Sequence, residues 1–425
     1  MKNKIAILGN MNNVPAVIGR ALLDKGYDVT MFFLNEYEHF KPESDAHEPI
    51  ENLKRVNLDW ERDDILKLCK KEILSKIGGF DFYLGVEWAP ALTWKAGIKL
   101  NMFYAIGTDL TDYPFYKLNR FPPPVWLLKL HLLAKQQFYA IKYATFLSMN
   151  KAPEVMEAKR RKINPLGKRI VGIPYLYTPQ YTESYLNKSK FKNEFDEIKN
   201  QNDFVIFHHV RHEWVASKNT IHDKGNNILF YSIKELKDKY PKKKITLITI
   251  DYGTDANKSK ILAEELGLTD QVKWFPKMEK KDLLYGLKVS DVFVGQLADA
   301  FPAYTSVYEA LAMGKTIIHK GDENDRTLYP IINAYDTESL SCALDRCLTG
   351  EIKTNEMGKQ GHAWFQQNGY DFPVNEVVNA IESKVKSINP FWGKIHCGAI
   401  KFAIIIMTPI KNLLFRLSRL KKQLN

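Results

Sequence analysis

The sequence predicts an α/β protein of two doubly wound, Rossmann-like domains facing each other across a cleft, followed by a C-terminal basic amphipathic helix. Three observations carry that expectation. The chain has 425 residues, too many for one ordinary core and suited to two domains. Short apolar runs of parallel-strand length alternate with helical stretches in two series, separated by a polar, charged segment. From Phe391 to Asn425 there are seven basic residues (Lys394, Lys401, Lys411, Arg416, Arg419, Lys421, Lys422) and no Asp or Glu.

The first series opens with Ile5–Leu8, an unbroken apolar run that reads as a buried parallel strand. Gly9-Asn-Met-Asn-Asn13 then forms a polar turn, Val14–Lys25 a helix and Asp28–Phe33 the next strand, a βαβ opening. Phe80–Val86 and Leu100–Ile106 are further strands around the helical Ala89–Ala96, and Phe146–Met149 and Arg169–Ile173 continue the alternation. Residues 182–203, rich in Lys, Asp and Glu, suit a linker with a short surface helix. The second series has strands at Phe204–Phe207, Ile245–Ile250, Val272–Phe275, Val292–Val294 and Thr316–Ile318. Between them lie helices at Asn226–Tyr240, Ser259–Leu266, Lys280–Lys288 and Ser306–Met313. The expected organisation is an N-terminal domain at 1–181, the linker at 182–203, a C-terminal domain at 204–365, a crossover helix within 366–388 and the tail at 389–425.

Composition narrows the class. Hydrophobic content of 45% and charged content of 26% are those of a soluble globular protein. Met1-Lys-Asn-Lys runs straight into a strand, which leaves no apolar core for a signal peptide. Cys69, Cys342, Cys347 and Cys397 are scattered without metal spacing, as in a reduced cytoplasmic protein. The net charge is +12, and the tail supplies seven of it. A general nucleic-acid binder would be basic over a folded face, whereas this chain is basic at one end.

The most informative stretch is Asp299-Ala-Phe-Pro-Ala-Tyr-Thr-Ser-Val-Tyr-Glu309-Ala-Leu-Ala-Met-Gly-Lys-Thr-Ile-Ile318. It reads as a loop, a short helix holding one carboxylate, a glycine stop and a buried strand. Thr305 and Ser306 in the first turn offer hydroxyls and free backbone N–H groups to an anion, and equally cap the helix. The stretch resembles the nucleotide-sugar site of GT-B fold glycosyltransferases, especially the retaining family 4, whose motif has two glutamates eight residues apart. Glu309 matches the second. Phe301 stands at the place of the first, and Asp299, two residues earlier, is the nearest carboxylate.

Other segments extend the resemblance over most of the chain. Ile106-Gly-Thr-Asp109 is similar to the family's His-Gly-x-Asp, Ile173-Pro-Tyr-Leu-Tyr to the end of its first domain, and Ala263–Pro276 and Leu283–Val294 to the middle of its second. The resemblance implies that Arg211 and Lys224 grip the donor diphosphate, although basic residues at a helix start are also common solvated surface. It implies that Glu309 holds the nucleotide ribose, unless it is a surface glutamate of its helix. Asp299 would replace the missing glutamate at the donor sugar, and the loop holding Gly253 would lie beside the nucleotide. Asp109 would meet acceptor or sugar hydroxyls, and Gly9, Asn10 and Asn12 would receive the acceptor. Retention of configuration without an obligatory metal ion or other cofactor follows from the same resemblance.

His208, His209, His212 and His222 invite a metal site, but strand alternation sends His208 and His209 to opposite faces. No Cys or carboxylate framework with zinc spacing accompanies them. Core or cleft histidines are the expectation. In the tail, Ile410, Leu413, Leu414, Leu417, Leu420 and Leu424 recur at helical spacing opposite the cations, which suits a helix lying on an anionic bilayer. The apolar run Phe402–Met407, bounded by Lys401 and Thr408-Pro409, is too short to span. Arg120–Tyr143 offers a second basic, aromatic contact surface. The sequence thus points to a transferase at the inner face of the cytoplasmic membrane, moving a sugar from a nucleotide diphosphate sugar to a lipid-linked or polysaccharide acceptor in surface-glycan assembly. The alternative is a non-catalytic sugar- or nucleotide-binding partner in the same pathway, and a nucleotide-sugar epimerase fits less well because it needs no such tail.

Overall fold

The computed structural model describes residues 3–34, 41–43, 50–118, 123–149, 154–215, 217–218, 220, 222–298, 305–321, 330–383 and 390–423. The chain divides into two compact domains, one taking residues up to 44, Ile50–Pro174 and Pro373–Asn425, the other Tyr175–Phe372.

The first domain is built on β1 (Lys4–Leu8), β2 (Asp28–Phe33), β3 (Lys54–Asn57), β4 (Phe82–Gly85), β5 (Met102–Tyr104), β6 (Phe146–Met149) and β7 (Lys168–Val171). They form one parallel sheet in the order β3-β2-β1-β4-β5-β6-β7. Ile5, Leu84 and Phe103 are fully buried, as expected of strands covered on both faces by crossover helices. Helix Val14–Asp24 starts with a proline in its first turn and ends before Gly26, whose φ of +80 closes it. Helix Val125–Lys142 lies against helix Ala89–Ala96 and is apolar on most of its circumference.

The second domain has β8 (Phe204–His208), β9 (Ile245–Ile250), β10 (Val272–Phe275), β11 (Val292–Val294), β12 (Thr316–His319) and β13 (Ile332–Asn333). Its sheet is parallel in the order β10-β9-β8-β11-β12-β13. The polar segment 182–203 folds into this domain as helices Glu183–Leu186 and Lys192–Gln201. Phe195 explains why: it is fully buried, with its ring 4.8 Å from Phe275 and 6.3 Å from Phe207. Ser189 and the Lys190 amide add hydrogen bonds to Asp282.

Helix Phe372–Glu382 returns the chain to the first domain, where Val374 and Val377 lie beside Ile18 and Leu22. Lys401 and Thr408-Pro409, which bound the apolar run Phe402–Met407 in the sequence, lie within a continuous helix. One helix runs from Phe391 to Gln423 with Pro409 inside it. Proline removes one backbone donor, and upstream of it one side of the helix packs on the first domain. Cys397 and Ile400 are buried against Leu132, and the Tyr139 hydroxyl meets His396 Nδ1 at 2.7 Å. The opposite side leaves Trp392, Ile395, Phe402 and Ile405 exposed. Phe391–Pro409 is long and apolar enough to cross a membrane by length and composition. A single such helix is weak grounds for a span, and here one face is committed to the protein.

Candidate functional site

In the second domain the strand order reverses between β8 and β11. Open α/β sheets take ligands beyond the carboxyl ends of the strands at such a switch point. The chain leaving β8 carries His209 and Arg211, the chain entering helix Asn226–Lys239 carries Lys224, and the chain leaving β11 carries Gln296. Lys224 is 5% exposed. Its amide donates to the Glu213 carbonyl at 2.7 Å, and its carbonyl accepts from the Leu297 amide at 3.1 Å. Gly225 follows at φ +65, and a Cβ there would lie 2.9 Å from the Ala298 nitrogen. Glycine therefore lets the 297–298 backbone close on this helix start and ties Lys224 to the segment leading to Asp299. Arg211 is partly exposed and pairs with Glu213, Nε to Oε2 at 3.0 Å.

Glu309 sits in helix Thr305–Ala312 and turns inward, 4% exposed, so it is not a surface residue. Its Oε1 pairs with Lys280, and its Oε2 meets His209 Nε2 at 2.9 Å. Burial alone would raise this carboxyl. The Lys280 charge and the His209 bond outweigh it and hold the group down at about 2. An ionised carboxylate with two oxygens retains lone pairs for further donors. Thr305 is exposed and Ser306 half-buried on the first turn of the helix. Asp299 and Phe301, the rivals for the first-glutamate position, lie outside the described residues. Two buried atoms on the strand-end segments, His209 Nδ1 and Gln296 Nε2, have no hydrogen-bond partner among the described residues. Buried polar atoms are nearly always satisfied, by protein or by ordered water, and these two stand at the strand ends next to the Glu309 cluster.

The histidines divide between core and site. His208 is held by the Val294 carbonyl and Asn226, and His212 lies between Ser259 and Thr249. Burial keeps both neutral, at about 4 and about 3. Gly253, at φ +121, packs on the His212 backbone, where a Cβ would come within 2.4 Å. Lys280 and His209, the partners of Glu309, are the members of the cluster that sequence reading did not assign. Nothing in Glu279-Lys-Lys-Asp marks which lysine turns inward, and only strand alternation separates His209 from His208.

Of the first-domain candidates, Asp109 and Asn10 are engaged by their own loops. Asp109 is 3% exposed, and its carboxylate accepts from the Ile106 and Gly107 amides at 3.0 and 2.8 Å. Burial pushes this carboxyl up, against the pull of those bonds. The side chain expected to meet hydroxyls therefore faces its own turn. Gly9 has φ +86, and Asn10 is buried, accepting from the Ala16 amide at 2.9 Å and donating to Asn13 at 2.7 Å. Asn12 is exposed, with a left-handed φ of 57.

Residues 199–323, which hold the whole switch-point cluster, match the family described as glycosyl transferases group 1. The fold is GT-B. Among solved structures, Anabaena HepE in complex with UDP-glucose is 16% identical, with a TM-score of 0.54 over 89% of this chain and 98% of that one. The lipopolysaccharide outer core galactosyltransferase WaaB in its apo form is 14% identical, with a TM-score of 0.52 over 90% and 100%. The UDP-GlcNAc 2-epimerase from Neisseria meningitidis bound to UDP-GlcNAc is 13% identical, with a TM-score of 0.55 over 89% and 100%. No curated protein matches the chain in sequence. The family match and the fold together support a glycosyltransferase that uses a nucleotide sugar.

Proposed function

We propose that this protein takes a nucleotide diphosphate sugar at the second-domain switch point and transfers the sugar to a lipid-linked or polysaccharide acceptor in surface-glycan assembly. The observation that carries the reading is Glu309, buried and held ionised by Lys280 and His209 within the matched segment. A carboxylate so placed suits ribose hydroxyls, while Lys224, Arg211 and the helix start at Thr305 and Ser306 suit the diphosphate. Breaking the glycosidic bond loads charge onto that diphosphate, and preorganised cations and N–H groups stabilise it as it leaves. Asp299 would contact the donor sugar. Retention of configuration and independence from metal follow the family 4 resemblance. A cytoplasmic protein bound peripherally to the inner membrane face is favoured by the basic tail, and the likeness to the lipopolysaccharide outer core galactosyltransferase WaaB fits a surface-glycan acceptor.

Ile106 and Phe301, where the family has His and Glu, favour a second reading as a non-catalytic sugar- or nucleotide-binding partner. Thermal stabilisation by a panel of nucleotide diphosphates identifies the base, and slow hydrolysis of the matching nucleotide sugars separates the readings. Hydrolysis without interconversion of the sugar supports a transferase. Binding without turnover supports the partner protein, and reversible change of the sugar ring supports an epimerase.

A further inference from the structure

Glu87 follows β4 with a left-handed backbone, φ 47. A residue with a Cβ keeps that conformation only where its surroundings impose it, and such outliers gather at functional sites. Two buried side chains impose it here. Gln137 Nε2 donates to the Glu87 carbonyl at 2.6 Å, and the Asp109 carboxylate accepts from the Glu87 amide. The Glu87 carboxyl is half-buried with Asp109 and Arg62 as charged neighbours; burial first and Asp109 next raise its pKa, and Arg62 pulls it back. The Arg62 guanidinium lies over the Tyr113 ring, 4.4 Å from its centre.

The position is as telling as the strain. The first-domain sheet reverses its order between β1 and β4, so Glu87 stands at the carboxyl edge of that switch point. The loop after β1 touches the same segment, since a Cβ on Gly9 would lie 2.7 Å from Val86 and 3.7 Å from the Trp88 ring nitrogen. Beside it opens a cavity of about 550 Å³, within the size range of small-molecule sites. Its lining is two-sided. Trp88 and Tyr113 supply aromatic faces next to Arg62 and Gln137, while Leu130 and Leu133 of helix Val125–Lys142 form an aliphatic wall. Leu130 is exposed and continues the wall towards Trp126.

We propose that this cavity is a glycolipid acceptor site, seating a sugar ring against Trp88 and Tyr113 and the attached apolar chain along Leu130 and Leu133. Glu87 accepts a hydrogen bond from the acceptor hydroxyl. The proposal rests on the transferase reading above and gives it a place and a class of acceptor. Charge in the surrounding chain suits an anionic membrane source. Residues 117–143 hold five basic side chains and no acidic one, residues 391–425 hold seven and none, and the remainder holds 49 of each sign.

The test uses the full chain and two probes, octyl β-glucoside below its micelle concentration and methyl β-glucoside, with UDP and GDP titrated in parallel. Octyl β-glucoside should bind at least tenfold more tightly than methyl β-glucoside. Leu130→Ser should remove most of that advantage and leave methyl β-glucoside unchanged. Glu87→Gln should weaken both glycosides severalfold with nucleotide affinity intact. Glu87→Gly, which relieves the left-handed strain, should do the same while keeping or raising the melting temperature. Methyl β-glucoside binding as tightly as octyl β-glucoside, or neither glycoside binding while a nucleotide does, overturns the glycolipid site and leaves the transferase reading standing. Loss of melting temperature in Glu87→Gly with glycoside affinity unchanged makes Glu87 a structural brace and overturns its role. Absence of all nucleotide binding sinks the transferase reading itself.

Discussion

Glu309 and Asp109 are both almost wholly buried carboxylates at the carboxyl edge of a parallel sheet, yet their surroundings push them in opposite directions. Lys280 and His209 outweigh burial and hold Glu309 well below the usual carboxylate range, whereas burial pushes Asp109 above it because backbone amides alone do not offset the desolvation. The contrast comes from partners rather than depth. The second-domain site gathers cations around its carboxylate and is suited to an anionic nucleotide. The first-domain cluster gathers carboxylates around one arginine and is suited to hydroxyl donors.

The most damaging way to break the contrast is to remove the cation. Lys280→Met should leave Glu309 in the interior without its cation and with only the His209 bond, a loss of about 3–5 kcal/mol in urea unfolding. Lys280→Met combined with Glu309→Leu should recover most of it. Unchanged stability in the single variant would mean that the pair is not formed in solution.

Acid titration of stability sharpens the comparison. The folded-state value of Glu309, about 2, lies below its ordinary 4.5, so its contribution is present above pH 4.5 and is lost as pH falls towards 2. At 1.36 kcal/mol per unit that is on the order of 3 kcal/mol. His208 and His212 lie below their ordinary 6.5, so the unfolded chain takes the proton first and stability declines from pH 6.5 downward. Asp109 has the reverse sign: what it contributes is present below 3.8 and is lost as pH rises. Urea midpoints from pH 3 to 8 should therefore flatten on the acid side in Glu309→Gln and rise near neutrality in Asp109→Asn. Parallel curves for the two variants would contradict the opposed environments.

Asp299→Ala should lower turnover about tenfold, roughly 1.4 kcal/mol, with a smaller effect on nucleotide affinity, if Asp299 contacts the transferred sugar as proposed. If Phe301→Ala changes sugar choice while Asp299→Ala is silent, the loop runs in the other register. The smallest effects belong to single tail charges. Lys394→Gln or Lys401→Gln should weaken binding to anionic vesicles by about 1 kcal/mol each, and the loss should shrink at high salt. Vesicle sedimentation that ignores both charge and salt would leave the tail as a packing element of the first domain.

The strands that the sequence shows most clearly are the buried ones, such as Ile5–Leu8 and Ile245–Ile250, because two-sided burial leaves continuous apolar runs. β3 escaped notice because Lys-Arg-Val-Asn at a sheet edge has no such run. Helix Val125–Lys142 read only as a basic aromatic surface, because apolar residues on most of its circumference blur the helical period. Glu309 was legible through the Glu-Ala-Leu-Ala-Met-Gly stretch, which fixes its helix and the strand after it. Glu87 was not, since Val-Glu-Trp-Ala-Pro contains no glycine to announce a positive φ. That conformation is dictated by Asp109 and Gln137, which are distant in sequence.

The direct test of the second-domain site is calorimetric titration of UDP and GDP into the wild-type protein, Glu309→Ala and Lys224→Ala. One nucleotide should bind the wild type, and each substitution should cost about 1.5–3 kcal/mol of affinity by removing a charged hydrogen-bonding partner. Wild-type affinity in both variants would contradict the placement of the donor at this switch point.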